Sequence, residues 1–413
     1  MIVTGGGLSG CAASLAAAKA GAQVTLIERT DTLIGCAIRA GETRGNGNFV
    51  GQQELRFLGG GELFDALESL KLHDVQFPDA ARHTFIFNTA LAEPRIRKIV
   101  IEAGVKVHFD SRAIDVIREN GRIRGVKLQD GSTVPGDSFV DCTGTRGGIA
   151  VCHKYGKGCV MCLVRCPSFG DRQGLVEKAG GKVFHRSRPD GTPGVLSSAV
   201  ALYKDTLAPW LKAKVEKEGL VKIPLPEHLV DYSKVAIMGA SRPRDFVENI
   251  FLGDIGAVVK CFGIVYMAQQ KLRQVSGFEN VQVEDPRASG WNHIGHVDIA
   301  ERNGFLQVEG IENLFCGGEK AGHGSVDGAI MSGYLAGHNA ARNAFGVEPL
   351  GLPRSLAIGD WLAVVTEEYR TEEGRKKQYR MYHGSTGCTM GNTGEGCRSW
   401  VCTPMMWPEL RIG

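Results

Sequence analysis

Met1-Ile2-Val3-Thr4-Gly5-Gly6-Gly7-Leu8-Ser9-Gly10 is the stretch whose reading decides the fold. Ile2 to Thr4 read as the end of a short strand, the glycines as a tight turn, and the alanine-rich run from Cys11 to Ala20 as a helix that Gly21 stops. Gln23-Val24-Thr25-Leu26-Ile27 is a second apolar strand, and Glu28 follows it, eighteen residues past Gly10. Strand, glycine turn, helix, strand and acid in this order predict a dinucleotide-binding unit. Gly5 permits the tight turn, Gly7 lets the backbone approach a pyrophosphate, and Gly10 lets the helix lie close on the strand. Leu8 and Ser9 open the helix, whose N-terminus offers N–H groups to phosphate. Glu28, with Arg29 beside it, sits where a carboxylate accepts hydrogen bonds from a ribose hydroxyl pair.

Outward from that unit, Gly35 and Cys36 follow the second strand, and Cys36 reads either as a flavin-side thiol or as a small buried hydrophobe. A glycine- and polar-rich loop from Ala40 to Gly51, with Arg44 and Gly47 in it, offers backbone amides and little bulk to a flat aromatic ligand. Glu54 to Leu70 and Pro94 to Ala103 read as helices. Val105 to Phe109, Ala113 to Arg118, Ile123 to Leu128 and Ser132 to Val134 alternate as strands. Asn120-Gly121 and Asp130-Gly131 mark the hairpins of a three-stranded antiparallel meander, with Ala113 a candidate cofactor contact at its start.

Two later strand ends repeat the glycine theme. Ser138-Phe139-Val140-Asp141-Cys142-Thr143-Gly144 is one, and Asn313-Leu314-Phe315-Cys316-Gly317-Gly318-Glu319 the other, the latter expected to pair with Gly304 to Val308. Gly322 to Ala329 then opens a helix running through Ala344, with Ser325, Gly328 and Ala329 in its first turns. Its N-terminus would stabilise an anionic reduced ring. His293, His296 and His323 flank this motif, and His323 is the candidate proton donor, set against an ordinary structural histidine.

Three motifs spread over both chain ends resemble the glutathione-reductase-type FAD fold, whose second fingerprint usually ends Ala-Thr-Gly where this chain has Cys142-Thr143-Gly144. The Asn313–Glu319 motif, the Gly324-to-Ala341 helix and Leu352-Pro353-Arg354-Ser355-Leu356-Ala357-Ile358-Gly359 resemble the glucose-inhibited division protein A family and the folate-dependent tRNA uracil methyltransferase flavoproteins. The resemblance covers residues 1–50 and 295–365 and is cofactor-related. It implies non-covalent FAD held by Thr143, Gly144, Gly318 and Glu319, in addition to the N-terminal turn.

Composition narrows the rest. A chain of 413 residues with 56 glycines suits an α/β protein with many tight turns, and a formal charge of +3 neither supports nor excludes nucleic-acid binding. No apolar run reaches membrane-spanning length, and no export signal is recognisable, so a cytoplasmic location is expected and the 12 cysteines read as thiols, metal ligands or redox groups. Cys152, Cys159, Cys162 and Cys166-Pro167 are the unusual set. Their spacing resembles the last ligands of a bacterial ferredoxin run, with Cys152 or one of Cys388, Cys397 and Cys402 completing a [4Fe-4S] site. Zinc and a Cys159–Cys162 redox pair stay open beside it.

The expected architecture is an α/β Rossmann-type FAD-binding domain built from both chain ends with an inserted substrate domain. Residues 1–150 and 291–346 make the FAD domain, 151–290 the cysteine-rich segment and substrate domain, and 347–413 a C-terminal helix and cysteine-containing tail. In the middle, Gly194–Val200 is expected as a strand, Thr206–Glu218 and Val258–Val275 as helices, and Val235–Arg242 as a strand and turn. Arg242 and Arg244 read equally as a grip for an anionic substrate and as solvated surface charges. A helix is expected from Leu352 to Arg370.

The expected function is FAD-dependent oxidoreduction with electrons relayed through the cluster, NAD(P)H being an admissible external reductant. The alternatives are a folate- or tRNA-linked flavoenzyme and a non-catalytic electron-transfer subunit. Expected partners are a small-molecule substrate or an electron-transfer protein, with tRNA left open by the resemblance, no membrane, and a homo-oligomer or larger complex.

Overall fold

The computed structural model describes residues 1–43, 47–75, 84–144, 174–185, 199–237, 243–262, 269–284, 298–323 and 325–375. The chain opens with β1 (Ile2–Thr4), α1 (Leu8–Lys19) and β2 (Thr25–Ile27), then α2 (Ala37–Ala40), α3 (Gly47–Phe57) and α4 (Glu62–Glu68). A hairpin, β3 (Lys71–Val75) and β4 (Thr84–Phe87), leads into α5 (Thr89–Glu102) and β5 (Lys106–His108). The meander β6 (Ala113–Glu119), β7 (Arg122–Leu128) and β8 (Thr133–Pro135) precedes β9 (Phe139–Asp141). After α6 (Leu175–Lys178) and β10 (Val183–His185) come β11 (Ala199–Tyr203), α7 (Pro209–Glu218), β12 (Leu220–Pro224), α8 (Pro243–Glu248), β13 (Asn249–Asp254), β14 (Val258–Phe262) and α9 (Gln269–Leu272). The last elements are β15 (Asp298–Ala300), β16 (Leu314–Cys316), α10 (Val326–Ala344) and α11 (Ala357–Tyr369).

Five parallel strands, in the order β16-β9-β1-β2-β5, form the central sheet. Ile2 pairs with Thr25 on one side and Phe139 on the other, and Phe139 in turn with Leu314. The two ends of the chain therefore complete one sheet. This is the expected Rossmann-type α/β fold, in which short, fully buried apolar strands need helices on their faces.

One helix pair covers the sheet unusually closely. A side chain on Gly333 of α10 would sit 2.2 Å from the Ser9 carbonyl oxygen, and one on Gly337 2.0 Å from that of Ala13. Only glycine lets α10 lie on α1 at that distance. A second apolar cluster builds on the antiparallel sheet β11-β14-β13-β12, with Leu211 and Val215 of α7 and Phe278 and Val281 packed on it.

Several elements differ from expectation for local reasons. Glu54 to Leu70 is two helices, α3 and α4, because the chain turns at Gly59 with φ +83°. Gly47 already belongs to α3, so the expected loop is shorter, and Arg44 lies outside the described residues. α5 begins five residues before Pro94, since Asn88 Oδ1 accepts from the N–H groups of Ala90 and Leu91 and caps it there. Val258–Val275 is not one helix. Its first part is the strand β14, whose paired valines and terminal phenylalanine in Val258-Val259-Lys260-Cys261-Phe262 fit a sheet better than a helix.

Tyr232–Ile237 is a 3-10 turn rather than a strand. Gly304 to Val308 contributes only isolated bridges, Arg302 to Val308 and Gln307 to Phe315. α11 starts at Ala357, where the Glu54 carboxylate accepts from the N–H groups of Ala357 and Ile358. The β3–β4 hairpin was not anticipated. Among the described residues no helix is long and apolar enough to cross a membrane.

Candidate functional site

Because the five strands run parallel, the residues that follow them share one edge of the sheet: Gly5 after β1, Glu28 after β2, Thr143 after β9 and Gly317 after β16. Such an edge is where open α/β sheets bind ligands.

The N-terminal turn is built around missing side chains. Gly5 has φ +96°, and a Cβ there would meet the Cys142 carbonyl oxygen at 2.4 Å. A Cβ on Gly10 would lie 1.8 Å from the Gly5 carbonyl oxygen, so this glycine sets how near α1 comes to the turn. Gly7 is different: nothing lies within 4 Å of its Cβ position, which faces open space. Gly7 is also the N-cap of α1, and as a glycine it offers no side-chain acceptor to the N–H groups of that first turn. A pyrophosphate fits this cradle, with the N–H groups around Leu8 and Ser9 as donors and open space before Gly7.

Glu28 is buried and partly engaged. Its Oε2 accepts from the Gly6 N–H at 2.7 Å, and its Oε1 from the Thr30 N–H and hydroxyl at 2.9 and 2.8 Å. The carboxylate thus shapes the glycine turn, and Oε2, which accepts a single bond, keeps a lone pair for a ribose hydroxyl. Arg29 beside it is exposed. The Glu28 carbonyl accepts from the Ser111 N–H at 2.9 Å, which brings the start of β6, with Ala113, to the same corner. Gly35 (φ +51°) lies against Gly7, its Cβ position 3.0 Å from the Gly7 Cα. Cys36 follows it and is exposed, so the buried-hydrophobe reading of that thiol is overturned.

The second strand end is organised by Asp141. This fully buried carboxylate accepts from the Thr143 N–H and hydroxyl on Oδ1, at 3.0 and 2.7 Å, and from the Val176 N–H on Oδ2, at 3.0 Å. A Cβ on Gly174 would lie 2.3 Å from Asp141 Oδ2. The chain thus leaves the sheet edge at Gly144 and returns to it at Gly174. Cys152, Cys159, Cys162 and Cys166 belong to the intervening segment, outside the described residues.

At the third strand end, the Gly318 N–H donates to Ser332 Oγ at 2.9 Å, and Gly318 (φ +64°) packs against Ser9. Glu319 reaches toward Gly144, its Oε2 3.4 Å from the Gly144 Cβ position. The Lys320 Nζ–Glu177 Oε1 pair, 2.8 Å and buried on both sides, ties this turn to α6. Ser325 Oγ caps α10 by accepting from the Gly328 N–H at 2.9 Å, and Gln52 Nε2 donates to Asp327 Oδ1 at 2.6 Å. Trp361 covers Gly328, and Ala329 is half-buried beside it. His323 is fully buried, its ring edge-on to Trp361 with centroids 4.5 Å apart. That is a core position, without the exposed face a proton donor to a bound ring needs.

The thiols near the turn are shielded. Burial pushes Cys11 and Cys316 up to about 12, and raises Cys142 as well against a hydrogen bond from Ser9. At pH 8 these groups hold almost no thiolate, which is the reactive form. We expect iodoacetamide to label Cys36 in the native protein while Cys11, Cys142 and Cys316 react only after denaturation; peptide mapping by mass spectrometry reads the difference. Labelling of Cys142 as fast as Cys36 would show the turn to be open.

Sequence reasoning brought together the three glycine motifs and missed three residues that tie them. Asp141 had a signal, since Asp-x-Thr at a strand end forms a local side-chain turn. Lys320 with Glu177 had none, because their pairing spans 143 residues. Among the described residues no group of histidine, cysteine or carboxylate side chains could hold a metal ion.

Residues 1–151 match the family of FAD dependent oxidoreductases. The tRNA uridine 5-carboxymethylaminomethyl modification enzyme MnmG of Lachnoclostridium phytofermentans is 34% identical over 110 residues, which are 26% of this chain and 16% of that protein. The Pediococcus pentosaceus MnmG is 29% identical over 116 residues, 27% of this chain and 17% of that protein. The matches thus span about one sixth of these curated relatives. Among solved structures, GidA of Aquifex aeolicus superposes with a TM-score of 0.61 in one crystal form and 0.58 in another, at 17% identity. The first covers 90% of this chain and 67% of that one, the second 92% and 74%. The chain has the FAD-binding Rossmann-type fold of the GidA-like flavoproteins.

Proposed function

We propose that this chain is an FAD-dependent oxidoreductase whose cofactor is clasped by both chain ends and whose cysteine segment, 152–166, relays electrons through a [4Fe-4S] cluster. The observation that carries the first half is the convergence of three glycine-bearing strand ends on one sheet edge beside a helix N-terminus whose N-cap, Gly7, offers no side-chain acceptor. Bound FAD would supply two-electron chemistry at that edge, and a cluster would pass the electrons one at a time.

The chain's own residues have separable tasks. The first-turn N–H groups of α1 hold the diphosphate, and Glu28 orients the turn while accepting from ribose. Glu319 meets the middle of the cofactor, and the N-terminus of α10 favours negative charge on the ring. Support for the relay is twofold: the ferredoxin-like cysteine spacing, and the return of the segment to Asp141, which keeps both of its ends at the FAD edge. NAD(P)H as external reductant is part of the same proposal, as is a small-molecule substrate or a protein electron partner.

Gentle anaerobic purification followed by an absorption spectrum and iron and sulfide assays tests both halves. The expected result is flavin bands with about four iron and four sulfide per chain. Protein without flavin would sink the whole reading. Flavin without iron would retain the FAD and return the cysteines to zinc or thiol chemistry. A second reading, RNA modification, has the MnmG matches in its favour; a flavin spectrum indifferent to added tRNA and reduced folate would count against it.

A further inference from the structure

Away from the FAD edge, a cavity of about 490 Å³ opens between β10, β15 and the C-terminal end of α11. Phe184, Ile299, Ala300 and Tyr369 supply apolar walls, Arg302 and Arg370 two cations, and Glu301 and Glu309 two carboxylates, the first turned to Lys182 at 3.5 Å and the second to Arg370 at 3.8 Å.

Arg302 is the unusual member. It is only 5% exposed, yet its guanidinium rests on neutral acceptors. Nε and Nη2 donate to the Ala321 carbonyl at 3.1 and 2.6 Å, and Nη1 to the Asn303 carbonyl at 3.1 Å and the Thr366 hydroxyl at 2.7 Å. Among the described residues, the other two deeply buried cations each have a carboxylate: Lys260 has Glu42 at 2.9 Å, and Lys320 has Glu177 at 2.8 Å. Among the described residues no carboxylate lies at ion-pair distance from Arg302. A buried cation without a counter-ion is costly, and a guanidinium has five N–H donors, of which these contacts take four. Arg370 adds to the local positive charge at the rim. It is 63% exposed and only loosely held by Glu309 at 3.8 Å.

We propose that this cavity binds a small organic carboxylate, with Arg302 as its buried counter-ion, Arg370 at its outer side and its apolar body against Phe184 and Tyr369. The apolar walls favour such a ligand over inorganic phosphate, which has no apolar face to bury. The site does not depend on the flavin reading. Its link to the FAD edge is indirect: the Ala321 carbonyl that Arg302 grips ends the 3-10 turn Gly318–Ala321 carrying Glu319.

Titration calorimetry on the full chain tests this without using flavin as a readout, with benzoate as probe and acetate and phosphate in parallel. Benzoate should bind saturably and one-to-one, more tightly than either small anion. Arg370→Gln should weaken it about fivefold, Arg302→Lys about tenfold or more, and Glu309→Gln should tighten it. No saturable heat with benzoate to about 10 mM, a threshold near the weakest useful affinity, would overturn the proposal. So would phosphate binding more tightly than benzoate, or benzoate affinity unchanged in Arg370→Gln and Glu309→Gln, the two rim variants, whatever the folding of Arg302→Lys.

Discussion

Gly10→Ala should strip the protein of bound flavin and lower its unfolding free energy by about 3 kcal/mol, at the upper end of overpacking costs. The added methyl would stand 1.8 Å from the Gly5 carbonyl oxygen, a backbone atom that no rotamer change can move aside. Relief requires α1 to rise off β1 or the Gly5–Gly7 turn to open, and either displaces the N–H groups that face the diphosphate. α1 is not free to rise, since Gly333 and Gly337 of α10 press on it from outside through contacts that would also be too close for any Cβ. The strain therefore stays in the turn. Gly21→Ala is the matched control: it lies at the far end of the same helix, at φ +87°, with nothing within 4 Å of its Cβ position. It should cost about 1 kcal/mol of backbone strain and leave flavin occupancy unchanged. Urea unfolding with the flavin-to-protein absorbance ratio reads both effects. A Gly10→Ala protein with full flavin and native stability would show that the turn tolerates a displacement the geometry forbids.

That turn was legible in the sequence because its requirements are local. Gly5, Gly7, Gly10 and Glu28 each answer a constraint set within one β-strand, one helix and the next strand. The meander was legible for the same reason, with Asn120 at φ +48° and Gly121 at φ +80° taking the two left-handed positions its hairpin needs. Where the deciding contact is distant, reading fails. Val258 to Phe262 is a strand because it has β11 and β13 on either side, pairing Lys260 with Ala201 and Gly253. Lys71 to Val75 carries mostly exposed residues, so no apolar alternation announced it; the pairing with Thr84 to Phe87 makes it a strand. At the candidate site the glycines could be named in advance, whereas Glu177 could not, because it acquires its role only when α6 folds back onto the turn after β16.

Asp141→Ala should be nearly as damaging as the glycine change, for an opposite reason: it removes an acceptor rather than adding an obstruction. Three donors converge on this carboxylate, the N–H and hydroxyl of Thr143 and the N–H of Val176, where Asp141 itself has no exposed surface. Left without an acceptor, the two backbone N–H groups together cost about 3 kcal/mol. Asp141→Asn should fall between, at about 2 kcal/mol, because its amide oxygen still serves Thr143 while its NH2 meets the Val176 N–H donor to donor. Thr143→Ala, which deletes only the hydroxyl contact, should cost about 1 kcal/mol. The ranking matters more than the values, since it assigns the loss to the Val176 side. Flavin occupancy should fall in the same order, as the Thr143–Gly144 turn loses its anchor. Iron measured on the same samples separates the two halves of the proposed function. If a cluster sits on the segment that leaves at Gly144 and returns at Gly174, its iron should fall with the Val176 contact, in Asp141→Ala and Asp141→Asn but little in Thr143→Ala. An Asp141→Ala protein with wild-type stability and flavin would mean the two ends of that segment are held elsewhere, and the relay would lose its structural support.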